Sequence, residues 1–364
     1  EAVLNKSQQS KLFNMINYIS LHTGICQILI SLCHTIFIPK SMLYPLKFKP
    51  ILKKAHWGGK RLAYKDKAIQ QHEPIGESWE ISGVQENISI VTEGILAENS
   101  LEELTEIYMG DLVGDKVFDK FGIEFPLLVK FLDMNDNLPL QVHPDDKTAK
   151  ERHRAYGKNK LWYIAEAESG SKITAGFKKS SNRSEFLQHL TQHTQAEILH
   201  IEPICKGDCF FLPSKTVHSL SGRCLVAEIQ QTSDITYYLD DYNRNTIEGD
   251  KLNLDIELAT DVINYNTIES RINYHRHKNH TEELIEYPWF TVNYLNFNKE
   301  VEKDYIEQDS FVIYMCLSGN FNVVYNVDQT VNVTQSETIL VPACLKDIFL
   351  IPQKESEILE IYIQ

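Results

Sequence analysis

From Met42 onward the chain is written in short apolar segments, each stopped by Gly, Pro, Asn or Asp. Residues 78–81 follow Pro74-Ile75-Gly76, and Ile88-Ser89-Ile90-Val91 alternates with period two. Residues 161–164, 210–213 and 224–229 are similar runs, and 126–132 is almost continuously apolar, as a strand buried on both faces would be. A chain interrupted this often cannot propagate long helices; it predicts many short strands closed into a sandwich or barrel. Two helices break the pattern. Ser100-Leu101-Glu102-Glu103 is a capping box ahead of Leu104, Ile107, Tyr108 and Leu112 at helical spacing. Asn182 with Glu185 opens a second, ahead of Phe186, Leu187 and Leu190, and both helices are expected on the outside of the β core.

After Arg244 the chain turns polar, and 250–279 reads as mixed helix and coil. His275, His277 and His280 suggest a metal site, but Arg276 and Lys278 between them favour a solvated connector. Strand patterning resumes at Tyr287 and runs through 311–314, 321–325 and 338–341, with turns expected at Gly319-Asn320 and at 326–329. This is a second, smaller β-barrel, read as structural and without a metal. Residues 1–41 differ from the rest. The apolar run from Gly24 to Pro39 is shorter than the roughly 20 residues of a membrane span, and no A-x-A cleavage pattern follows it. The expectation is that Met42 is the natural start and 1–41 a non-native extension. The expected units are then 42–250, 251–285 as connector, and 286–364.

Charge and cysteine content narrow the partners. A net charge of −14 repels phosphate backbones, so nucleic acid is excluded as a ligand, and no membrane partner is expected. An anionic small molecule would need a local basic site against that field. The seven cysteines include no C-x-x-C pair; Cys205 and Cys209 read as buried thiols beside a Gly-Asp turn, not as metal ligands. A reducing, cytoplasmic setting follows.

The chemistry is expected in two places. In a strand, Gln141 and His143 face the same side, and an amide oxygen beside an imidazole makes half of a metal site. By itself that pair is weak, and a core histidine is the blander reading. The other half is His218, reached through strand, proline turn and Ser214-Lys215-Thr216-Val217.

At these residues the sequence resembles the type I mannose-6-phosphate isomerases, in particular the short bacterial form with two cupin domains. The resemblance is carried by Trp57-Gly58-Gly59, residues 76–82, 126–146 and 157–163, 210–218 and 227–234, with late matches at 343–347 and 359–362. It implies a mainly β fold of two cupin (jelly-roll) barrels with a few peripheral helices. It also implies interconversion of mannose 6-phosphate and fructose 6-phosphate through a cis-enediol, assisted by one Zn2+ per chain. Carried over by position, Gln141, His143 and His218 match metal ligands and Lys158 a lysine of the proton transfer. Arg244 matches a basic position after the Thr-Tyr stretch.

Three positions depart from the family pattern. Lys160 stands where a glutamate ligand is usual, and an ammonium has no lone pair to give. Tyr238 stands where an arginine thought to be catalytic is usual, and Pro139 replaces a serine that contacts the phosphate. Glu166 cannot substitute, because six residues along a strand is about 20 Å; Glu228 belongs to the ordinary pattern and is expected to be engaged already. The resemblance therefore leaves two functions open: a sugar phosphate isomerase, or a family member impaired in turnover that binds a sugar phosphate or plays a structural or regulatory role. Oligomeric state is not legible.

Overall fold

Along Lys160–Ala167 the side chains alternate: Trp162 and Ile164 join one apolar cluster, while Tyr163 points the other way and stacks on Tyr294 at 5.7 Å. A strand used on both faces has something packed on each, and that sets the architecture. The computed structural model describes residues 43–62 and 73–364. The expectation for residues 1–41 lies outside the described residues.

Three antiparallel sheets form the frame of the described chain. A seven-stranded sheet runs in the order Arg271–Ile272, Cys209–Leu212, Lys160–Ala167, Cys224–Gln231, Leu127–Met134, Ile51–Gly59, Ile75–Ser82. A five-stranded sheet runs Tyr237–Asp240, Leu140–Val142, His218–Ser221, Lys172–Phe177, Leu199–Pro203. The two share a core in which Leu132, Trp162, Phe210 and Val226 of the first meet Ile173, Ala175 and Leu220 of the second. The outer face of the five-stranded sheet, with Leu140, Val142, Phe177 and Leu239, is covered by residues of Arg183–Thr191 and Ile256–Val262. Strands from His280–Tyr287 to Asp347–Tyr362 form the second barrel in an eight-stranded sheet around Phe297, Tyr314, Phe321 and Ile358. The fold is mainly β, with two cupin barrels and helices at the periphery.

Several local expectations hold. Ser100 caps Leu101–Tyr108 with the reciprocal Glu103 contact, and the Asn182 side chain accepts from the Glu185 amide. Residues 127–132 fall in Leu127–Met134, buried throughout, with Pro126 just ahead of the strand. His275, His277 and His280 are exposed, and the last two share Glu282.

Others are corrected. Residues 88–91 make isolated bridges, Ile90 to Ser100 and Val91 to Phe48, because bends and turns at 84–86 and 93–98 cut the segment short on both sides. Ile107 is exposed, since the first helix ends at Tyr108 and turns at Met109. Gly319-Asn320 is a bulge inside the long strand Val312–Tyr325, not a turn. Gly319 has φ +94°, and a side chain there would collide with the Glu355 carbonyl, so the strand bends without breaking. The N-terminal strand Leu46–Lys47 pairs with Thr338–Val341 of the second barrel, tying the two ends of the described chain together.

Phe125 and Phe311 also meet between the barrels, with ring centroids 4.7 Å apart. Phe311→Ala is expected to cost about 3–5 kcal/mol in chemical denaturation. A loss below about 1 kcal/mol would mean the barrels do not depend on this contact.

Candidate active site

The inward rows of three neighbouring strands change character along their length. They run Lys130, Leu132, Met134; Glu228, Val226, Cys224; and Lys160, Trp162, Ile164. The apolar members pack in the core, and the charged ones gather at one end of the barrel. Register sets the contacts, because Glu228 lies opposite Lys130 on one side and Trp162 on the other. Lys130 Nζ is 3.1 Å from Glu228 and 2.8 Å from Glu77; Lys160 Nζ is 3.2 Å from Glu228. Trp162 Nε1 donates to Glu228, and Trp79 Nε1 donates to Glu77 at 2.6 Å. Burial alone would raise both carboxylates, but the lysines outweigh it and hold Glu228 and Glu77 below the usual range. Lys130 is likewise raised by its two carboxylates against burial. Lys160 is lowered, because burial outweighs Glu228.

Gln141 pairs in register with His218, and His143 follows two residues on. The imidazole centroids are 4.8 Å apart. His143 Nδ1 lies 3.1 Å from the Ile235 carbonyl and His218 Nδ1 2.8 Å from the Thr216 carbonyl. A carbonyl only accepts, so each Nδ1 carries the hydrogen and each Nε2 presents a lone pair. Both Nε2 atoms are buried and make no hydrogen bond. Burial, reinforced by the Lys160 charge, pushes His218 down to about 3 and His143 well below its ordinary value.

Lys158 precedes the Lys160 strand and donates to Thr236 Oγ1 at 3.1 Å. Its segment is pinned by Asn159, whose amide N–H donates to Gln231 at 2.9 Å and whose side-chain oxygen accepts from the Ser214 N–H. Burial pushes the Lys158 amine down to about 7; Asp234 opposes the shift, while Lys160 and Lys130 add to it. Tyr238 lies opposite Gln141, and burial with nearby Glu77 and Asp234 pushes its phenol up to about 12. Gln141, His143, Lys158, Lys160, Tyr238 and Pro139 all border one cavity of about 60 Å³. Asp234 of its wall also lines an adjoining groove of about 800 Å³ with Lys150, Arg154, Tyr156 and Trp289. Arg244 is not brought to this cavity: it pairs with Asp241 at 2.6 Å and Asp136 at 3.2 Å, beside a separate pocket.

Sequence reasoning missed Lys130, Glu77, Asp234 and Thr236, which all line the cavity. A signal existed for Lys130, the one charge inside an otherwise apolar run at 126–132. None marked its partner Glu77, since only the sheet register brings Glu77 near.

The zinc that the resemblance implies can be tested against these side chains. Two imidazoles offer lone pairs and Gln141 offers an amide, but the fourth place is held by an ammonium. Among the described residues no group of three or more His, Cys, Asp or Glu side chains is arranged to hold a metal. Glu228, a carboxylate of the cavity wall, is already shared by two lysines. The donor set does not fit a divalent ion.

Residues 45–186 match the family model for the phosphomannose isomerase type I catalytic domain. The chain is 31% identical over 287 residues to the mannose-6-phosphate isomerase ManA of Bacillus subtilis, covering 77% of this chain and 87% of that protein. It is 35% identical over 222 residues to a mannose-6-phosphate isomerase of Streptococcus mutans, covering 61% of this chain and 68% of that protein. A crystal structure of the Bacillus subtilis mannose 6-phosphate isomerase aligns with TM-score 0.78 at 27% identity, over 88% of this chain and all (100%) of that one. The chain belongs to the mannose-6-phosphate isomerase family.

Glu228→Gln leaves two buried ammonium groups facing a neutral amide, and is expected to cost about 3–5 kcal/mol in urea unfolding. Adding Lys160→Met should recover part of that loss; strict additivity of the two would show that the pair is not coupled. For Lys158, the folded amine titrates near 7 and the unfolded one near its ordinary 10.5, so between those values the unfolded chain binds more protons. Lys158→Met is therefore expected to stabilise the fold fully below pH 7, with the gain fading as pH rises towards 10.5. Melting curves across that range that show a constant gain would refute the shift.

Proposed function

We propose that this chain binds mannose 6-phosphate and fructose 6-phosphate in the first barrel, within the unit 42–250, and interconverts them by moving a proton between C1 and C2 through a cis-enediol. The observation that carries the reading is the buried Lys158 amine, near neutrality at about 7, on a cavity wall with the ammonium groups of Lys160 and Lys130. Moving a proton next to a carbonyl requires a base poised near working pH and fixed positive charge where the oxygen becomes negative. Lys158 would hold the travelling proton at Nζ, with Thr236 orienting it. Lys160 would face the developing enediolate oxygen, and the free Nε2 atoms of His143 and His218 would accept from sugar hydroxyls. A hexose phosphate exceeds the inner cavity of about 60 Å³, so only its reactive end would enter, with the phosphate in the groove near Lys150 and Arg154.

This reading includes a cytoplasmic setting, and no helix among the described residues is long and apolar enough to cross a membrane. One observation favours a second reading, binding with little turnover. Tyr238, a neutral phenol raised to about 12, borders the cavity where the family resemblance implies a fixed positive charge. Losing one such donor costs about 10²–10³ in rate.

Calorimetric titration with mannose 6-phosphate and a coupled assay for fructose 6-phosphate separate the cases. Binding with turnover that falls at least roughly a hundredfold in Lys158→Met supports the isomerase. Binding without turnover supports the second reading, and no binding to either sugar phosphate refutes both.

A further inference from the structure

We propose that the Lys160 ammonium is the resident cation of this barrel, occupying the place of a divalent ion, so that the site takes its anionic sugar ligand without a metal. The sugar half of this inference rests on the reading above; the cation half rests on the donor set and the charge balance of the buried side chains. Two imidazole nitrogens with free lone pairs, buried side by side, are costly unless something positive or protic faces them. Lys160 supplies it. Its side chain is 4% exposed, it lies 5.2 Å over the Trp162 ring, and its charge acts on both histidines.

Charge counting points the same way. The buried chain Glu77, Lys130, Glu228 and Lys160 holds two carboxylates and two ammonium groups, and is neutral as it stands. A divalent ion placed among Gln141, His143 and His218 would add two positive charges beside Lys160, and the one further carboxylate on the cavity wall, Asp234, already acts on the Lys158 amine. The tethered ammonium also suits the ligand chemistry. It donates to a carbonyl or hydroxyl oxygen, as a metal-bound site would polarise one, and needs no exchangeable ion to do so.

The test uses the whole chain, stripped with EDTA and dialysed. Calorimetry with Zn2+ alone, together with metal analysis of the protein as purified, is expected to find no stoichiometric zinc. Mannose 6-phosphate affinity should differ less than about twofold between EDTA and added Zn2+. Lys160→Glu exchanges the cation for an anionic donor and should tighten zinc binding by roughly a hundredfold or more. Should that variant fail to fold, Lys160→Gln removes the charge alone and should weaken mannose 6-phosphate at least about tenfold in EDTA. The proposal is overturned if the unaltered chain retains one zinc, if it binds Zn2+ as tightly as Lys160→Glu, or if Lys160→Gln leaves sugar phosphate affinity unchanged. If the unaltered chain binds neither Zn2+ nor mannose 6-phosphate, the sugar reading falls while the resident cation stands.

Discussion

A carboxylate taken out of water must find positive charge and donors close by, or it takes up a proton. Glu228, with its side chain 1% exposed, meets that requirement through Lys130, Lys160 and Trp162. It sits on Cys224–Gln231, the strand between Leu127–Met134 and Lys160–Ala167. The pairing that puts Glu228 opposite Lys130 and Trp162 therefore also fixes which residues of both neighbours face inward. A slip of one residue would turn Glu228 into the opposite packing layer and send Trp162 out of the core. The polar end of the barrel and its apolar middle thus share one register.

From this anchor the rest of the site inherits its electrostatics. Burial, reinforced by Lys160 held against Glu228, keeps both imidazoles neutral, and their backbone carbonyl partners choose which nitrogen is free. Burial, with the same positive field added and Asp234 opposing, brings the Lys158 amine down to about 7, while Lys130, between two carboxylates, rises. Neighbouring lysines in one cavity thereby differ in how tightly they hold a proton, through burial and partner geometry and not through residue type.

The second barrel has a buried polar cluster of its own, in which Glu360 meets Lys303, Asn293 and Tyr305. That cluster is closed by mutual hydrogen bonds, whereas the first barrel leaves two histidine nitrogens open. The contrast separates a packed interior from a site, although each barrel encloses a buried ion pair.

Much was legible in the linear chain because it depends on near neighbours. The buried run at 127–132, the Ser100 and Asn182 caps and the shared cavity wall of Gln141 and His143 follow from local geometry, and motif order carried the family resemblance. What stayed hidden depends on residues far apart in sequence. Lys130 meets Glu77 and Glu228 only through sheet pairing, Arg244 is drawn off to Asp241 and Asp136, and Leu46–Lys47 joins a sheet formed by the other end of the chain. The sequence alone determined that a lysine stands at position 160, where the family resemblance implies a glutamate. Only the tertiary structure decided that its charge is matched by Glu228, because the energy of a buried charge depends on what lies within a few ångströms of it in space.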